Sequence, residues 1–235
     1  MTKRWAAAGR KARVAGFGGV AVLGAGVLLS ACSPVQLGSA AIVGNQRITQ
    51  ATLNAQVSNL RNAAAQYPGQ VQLTTAQYPQ AVLGWLVKFQ IENRAAATAG
   101  VSVTEAEVQA GVKSVQQQAQ QYAQQSGLPS GNAVLLSSGI PPQLLNDLGK
   151  YQAQELELAV QANGGKLPTT QAEANTVTAA LTKSTCVAAK SLNIQINPQY
   201  GRLDYSQYTV VAGPDLLSKA EGASPVPTTG SKPAC

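Results

Sequence analysis

The chain has 235 residues, enough for one or two domains, and is 45% hydrophobic, 11% charged and 5% aromatic. Its formal charge of +7 sits mostly at the start: the first 31 residues hold Lys3, Arg4, Arg10, Lys11 and Arg13 and no acid, leaving twelve basic residues against ten acidic ones. That near-balanced remainder, with no Lys/Arg cluster, offers no nucleic-acid surface, and a chain without His has no Ser-His-Asp triad, Cys-His dyad or His-based metal site.

The opening stretch, "MTKRWAAAGRKARVAGFGGVAVLGAGVLLSAC", has a basic head, an apolar run over residues 14–29 and a small-residue end. This is the layout of a secretory signal peptide over residues 1–31. The apolar run has 16 residues, fewer than the roughly 20 of a spanning helix, so an uncleaved anchor is the lesser alternative. Leu29-Ser30-Ala31-Cys32 resembles the bacterial lipobox. The resemblance implies a diacylglyceryl thioether on Cys32, cleavage just before it, and a lipid-anchored protein on the outer face of a bacterial cell membrane. Thioether formation needs a thiol nucleophile, and two or more acyl chains hold a protein stably on a bilayer. Residues 32–39 then form a lipidated tether. Two cysteines remain, in a compartment that permits disulfides, and a Cys186–Cys235 bridge is expected. Two free thiols, or an intermolecular link through Cys235, are the alternatives.

After the tether, residues 41–43 read as a short strand, Gly44-Asn45 as a turn, and Ile48-Thr49 as the entry to a first helix over residues 49–66. Thr49 can cap that helix, and Leu53, Val57, Leu60 and Ala64 give it one apolar face. A second helix is predicted over residues 78–99, with Val82, Trp85, Leu86, Phe89 and Asn93 on one side and Gly100 closing it. Thr104 and Glu107 make a capping box for a third helix, whose stripe runs Val108, Val112, Val115, Ala119, Tyr122 through a Gln-rich segment. A short helix over residues 132–138 precedes a long one entered through Pro141-Pro142, with Leu144, Leu148, Tyr151 and Leu158 on a face. Thr170 and Glu173 cap the last helix. Residues 193–197 and 207–211 read as strands, and one or both are expected to pair with residues 41–43. The fold class is mainly α: five to six helices around a small two- to three-stranded sheet that joins the two ends of a body spanning residues 40–211. A flexible tail, residues 212–235, follows.

"AAIVGNQRITQATL" at the start of that body and "INPQYGRLD" at its end resemble the opening and closing segments of the SurA/PrsA-type extracytoplasmic chaperones. Asn197, Pro198, Tyr200 and Gly201 are in register with that family's closing strand and turn; Leu203 stands where an aromatic is often seen. Members often carry a parvulin prolyl-isomerase domain between the long helix and the last one. Residues 161–173 leave no room for it, and parvulin active sites use histidines. The resemblance therefore implies the chaperone body without the isomerase.

No GxSxG, P-loop or GxGxxG motif occurs. Glu105/Glu107 and Glu155/Glu157 are the closest acidic pairs, but positions i and i+2 of a helix point roughly 200° apart, so they read as solvated faces. Neither a catalytic residue, a metal ligand nor a cofactor is expected. What remains is binding of unfolded or secreted polypeptides, with Trp85, Leu86, Phe89, Leu144 and Tyr151 as candidates for an apolar wall; amphipathic helices commit most such residues to the core. The alternative is an envelope adaptor lipoprotein that docks a single protein partner through the same fold.

Overall fold

The computed structural model describes residues 38–213 together with Cys235. The expected signal peptide, Cys32 and most of the expected tail lie outside the described residues.

Strand β1, Ser39–Val43, pairs on both sides. On one side the chain doubles back at Gly44-Asn45 into β2, Gln46–Thr49, with Ala41 opposite Ile48 and Val43 opposite Gln46. Gly44 is required at this turn: its φ is +62°, and a Cβ there would lie 2.8 Å from Leu192 Cδ2. On the other side lies β3, Ile194–Ile196, antiparallel, with Ala41 opposite Ile196 and Val43 opposite Ile194. Asn197 locks the end of that pairing, its backbone N–H donating to Ala40 O at 2.9 Å and its Nδ2 to Ser39 O at 3.0 Å. The two ends of the body therefore close on each other through residues 193–197, as the sequence predicts.

One expectation needs correction: the segment after Gly44-Asn45 forms β2 before entering a helix. Of the two strands expected near residues 41–43, the first pairs with them; the second is β5, Thr209–Val211, which pairs with β4, Arg202–Asp204, in a separate two-stranded sheet. β1 has only two edges, and β2 and β3 occupy both.

Among the described residues six α-helices surround these sheets, and the fold is mainly α. α1, Gln50–Ala64, starts at Thr49, whose hydroxyl accepts from the Thr52 N–H at 3.0 Å, and it buries Leu53, Val57, Leu60 and Ala64. α2, Tyr78–Ala99, ends on Gly100 at φ +70°. α3, Glu105–Ser126, and α6, Gln171–Ser191, both open on full capping boxes, Thr104 with Glu107 and Thr170 with Glu173. α4, Gly131–Ser137, is capped by Ser130; a 3₁₀ turn at Pro142–Leu144 then leads into α5, Leu145–Ala162. Residues 163–170 join α5 to α6.

α2 is the centre of the fold. It packs against α1, α5, α6, β1 and β5. Val82, Leu83, Val87, Ile91 and Ala95 are at most 1% exposed, and together they point to more than one side of the helix. Each buried Val, Leu or Ile contributes about 1.5–3 kcal/mol of transfer free energy. The single apolar face expected for this helix is thus too narrow: it is buried nearly all round. α3 lies outside, packed mainly on α4 and α5. Its stripe holds at Val108 and Ala119 but stops short of Tyr122, which is 57% exposed on the Gln-rich solvent side.

Candidate functional site

The N-terminal half of α2 and strand β5 form the two walls of a groove of about 320 Å³. Gln77 at the N-cap of α2 and Ala81, Trp85 and Lys88 on it recur every three or four residues, so they line one stripe. Thr209 and Val210 form the facing wall, and Leu73, Gln80 and Ser138 complete the lining. Ahead of the β5 wall, Tyr208 holds a left-handed conformation at φ +52°, uncommon for a residue with a Cβ.

Trp85 is fixed from three directions. Its indole Nε1–H donates to Ser138 O at 2.7 Å. Its ring lies 5.7 Å from Phe89 and 6.2 Å from Tyr151, the latter edge-on. The Lys88 ammonium sits 5.0 Å above it in cation–π geometry. Among the described residues Lys88 is the one charged residue lining the groove. Burial lowers its pKa, and the nearby Glu155 carboxylate opposes that fall. The groove thus offers an apolar floor, a rigid aromatic anchor and Gln, Ser and Thr side chains able to bond a peptide backbone.

The aromatic residues continue behind the groove into the α2–α5 seam, where Phe89 and Tyr151 lie 6.1 Å apart. Beyond them Gln154 Nε2 donates to Asn93 Oδ1 at 3.1 Å. The seam also holds Glu92, 4% exposed, and Glu155, half-buried. Burial first, then the charge of Glu155, push Glu92 up to about 7. Burial raises Glu155 too, against the pull of Lys88. The Tyr151 hydroxyl is driven up by burial and by both carboxylates.

Of the five residues expected to form an apolar wall, Trp85 lines the groove and Tyr151 buttresses it from behind. Leu86 is half-buried against the core. Phe89 and Leu144, 7% and 2% exposed, are core residues that no ligand reaches without unpacking the protein. Glu155 is not the solvated-face residue expected of it: it works across helices with Glu92, not along one helix with Glu157. Residues 207–211 read as a strand but not as a wall of the groove, because only the fold brings Val210 beside Ala81. Away from the groove, Cys186 on α6 is bonded to Cys235, with Cα atoms 5.9 Å apart.

Residues 20–134 match a family model described as the SurA-like N-terminal domain. The matched span includes β1, β2, α1, α2 and α3, and so the Trp85 wall of the groove; α5 and β5 lie beyond it. The chain has no match among curated proteins or among solved structures.

Proposed function

From the premise that this chain carries a SurA-like N-terminal domain, of a chaperone-type family, we propose that it is a membrane-anchored extracytoplasmic lipoprotein that holds unfolded or secreted polypeptides without catalysis. The observation that carries the reading is the groove on the helix that the family match covers. An extended segment lies between α2 and β5, an apolar side chain packs on Trp85, and Gln80 and the neighbouring polar side chains meet the segment's backbone. Loose selectivity follows from such a site, because backbone contacts do not read sequence and one aromatic anchor accepts many apolar partners. Cys32 carries the acyl anchor, and the Cys186–Cys235 bridge is a structural bond of the oxidising compartment.

Two measurements test this. Suppression of aggregation of a heated or reduced client should fall at least about fivefold for Trp85→Ala, with the fold intact by circular dichroism. No suppression by the wild-type protein at several-fold excess, together with silence on a peptide array, rejects the chaperone reading. A single stoichiometric partner without peptide promiscuity would replace it with the adaptor. For the anchor, metabolic labelling with an alkyne fatty acid should tag the wild type and not Cys32→Ser.

A further inference from the structure

The seam behind the groove contains more acid than base, and peptide capture makes no use of it. Lys88 and Glu92 lie one turn apart on α2, and Tyr151 and Glu155 one turn apart on α5. The Phe89–Tyr151 ring contact and the Gln154–Asn93 hydrogen bond set these turns side by side. Two carboxyl groups therefore lie on neighbouring turns with a single ammonium and feel one another's charge. The carboxyl of Glu92 accepts no hydrogen bond among the described residues, although the residue is 4% exposed. A carboxylate in that position keeps little water and no donor to hold its charge.

The other elements packed on the seam do not correct the imbalance. β1 and β5 carry no ionisable side chain. Arg61 of α1 and Lys183 and Lys190 of α6 are exposed, Arg94 of α2 is exposed and donates to Ser191, and Glu173 is engaged at the cap of α6. On α3, Glu105, Glu107 and Lys113 are exposed. The charged groups that the pair feels are each other and Lys88, with the Tyr151 hydroxyl alongside.

We propose that Glu92 and Glu155 form a proton-sensitive joint between α2 and α5: holding one proton between them they let the helices close, and losing it they loosen the seam and release the Trp85 wall. With the proton in place, one carboxylate faces Lys88 and the seam is neutral. Without it, two carboxylates face one ammonium in a poorly hydrated layer, and the helices relieve the repulsion by admitting water. The wall moves because Trp85 rests on Phe89 and Tyr151, which are one turn from the two acids. The sign is fixed by linkage. Glu92 titrates higher in the folded protein than in the unfolded chain, so its contribution is complete below the ordinary carboxylate range. It is lost as the pH rises through about 7 and is level above that. An effect of the loosened wall on client affinity rests on the chaperone reading; the joint itself does not.

The test uses the full chain in detergent, with Trp5→Phe where residues 1–31 are retained, so that Trp85 is the sole tryptophan. Thermal unfolding and Trp85 emission are followed from pH 4.5 to 8.5. The expected result is a fall in Tm of roughly 4–8 °C across that range and a red shift of emission with one midpoint near 7. Glu92→Gln should abolish both, and Glu155→Gln should move the midpoint down. Carboxyl titration by NMR in the unsubstituted protein, which needs no variant to fold, should place the Glu92 midpoint at least one unit above the ordinary range. A Glu92 midpoint in the ordinary range, a pH-independent wild type, or an unchanged midpoint in Glu92→Gln would each overturn the joint. Failure to bind clients while the transition persists would instead remove the chaperone reading and leave the joint standing.

Discussion

α5 meets its two long neighbours in opposite ways. Against α3 the contact is backbone on backbone. A Cβ on Gly111 would fall on the Gly149 carbonyl oxygen, and a Cβ on Gly149 would strike the Val112 side chain and lie 2.7 Å from Val108 O. Against α2 the contact is side chain on side chain, through rings 6.1–6.2 Å apart, a hydrogen bond between amides and the carboxyl pair. The crossing at Gly111 and Gly149 has one arrangement, since two glycines have no rotamer to change. The contact with α2 has several, because rings tilt, amides exchange partners and carboxyls take up protons. One helix thus joins a fixed crossing to an adjustable one, and the adjustable side is the side that carries the groove.

The strongest way to break this comparison is to add a methyl group at the fixed crossing. Gly149→Ala should lose about 3 kcal/mol of unfolding free energy, the upper end of overpacking costs, and Gly111→Ala a similar amount. The double variant should cost less than the sum, because once the helices have moved apart for one methyl the second has room. Urea denaturation gives all three values. A loss below about 0.5 kcal/mol in either single variant would mean the crossing can slide, and the contrast with the seam would disappear.

The seam should be more forgiving. Phe89→Leu keeps most of the buried volume and should cost about 1.5 kcal/mol, half of the glycine effect, while shifting Trp85 emission because the ring beneath the indole is gone. Gln154→Ala should cost about 1 kcal/mol, the net worth of one hydrogen bond with half-buried Asn93, whose oxygen can turn to water. Equal denaturation losses at Phe89 and Gly149 would say that both faces of α5 are equally rigid.

These differences explain what could be read in the sequence. α2 runs from Tyr78 to Ala99, where residue pattern alone predicts it, because Pro79 and Gly100 act locally at its ends. The caps at Thr49, Thr104 and Thr170 were legible for the same reason: donor and acceptor lie three residues apart. β2 was not, because an edge strand that begins Gln46-Arg47 has no apolar alternation to show. The Gly111–Gly149 crossing was not, since a helical glycine announces a close contact only when its partner is known. Glu92 hides for a third reason. A lone Glu on a helix reads as solvent-facing, and only the wrap of α1, α5 and α6 around α2 buries it. The groove was half legible: Trp85 is a local feature, while its partner wall depends on closure of the fold.

The smallest expected effect sharpens the comparison by its sign. α3 enters through a capping box at Thr104, whereas α5 enters from a 3₁₀ turn at Leu144 with no side-chain cap. Thr104→Ala should therefore cost about 1 kcal/mol and speed amide exchange in the first turn of α3, with Trp85 emission unchanged. The box also has a pH dependence opposite to that of the seam. The Thr104 backbone N–H, donating at 2.6 Å, and then its hydroxyl hold the Glu107 carboxyl below its usual range. A depressed carboxyl stabilises above the ordinary range and stops doing so as the pH falls through its folded value. Acidification below about 4 should fray α3 while the Glu92–Glu155 seam, holding its proton, stays closed. Site-resolved exchange at pH 3.5 and pH 7.5 separates the two. First-turn protection of α3 should be lower at pH 3.5, after correction for intrinsic rates, and protection in α2 around Phe89 should be higher. Protection changing in the same direction in both helices would show that one global stability change, not two opposed local ones, governs the response to acid.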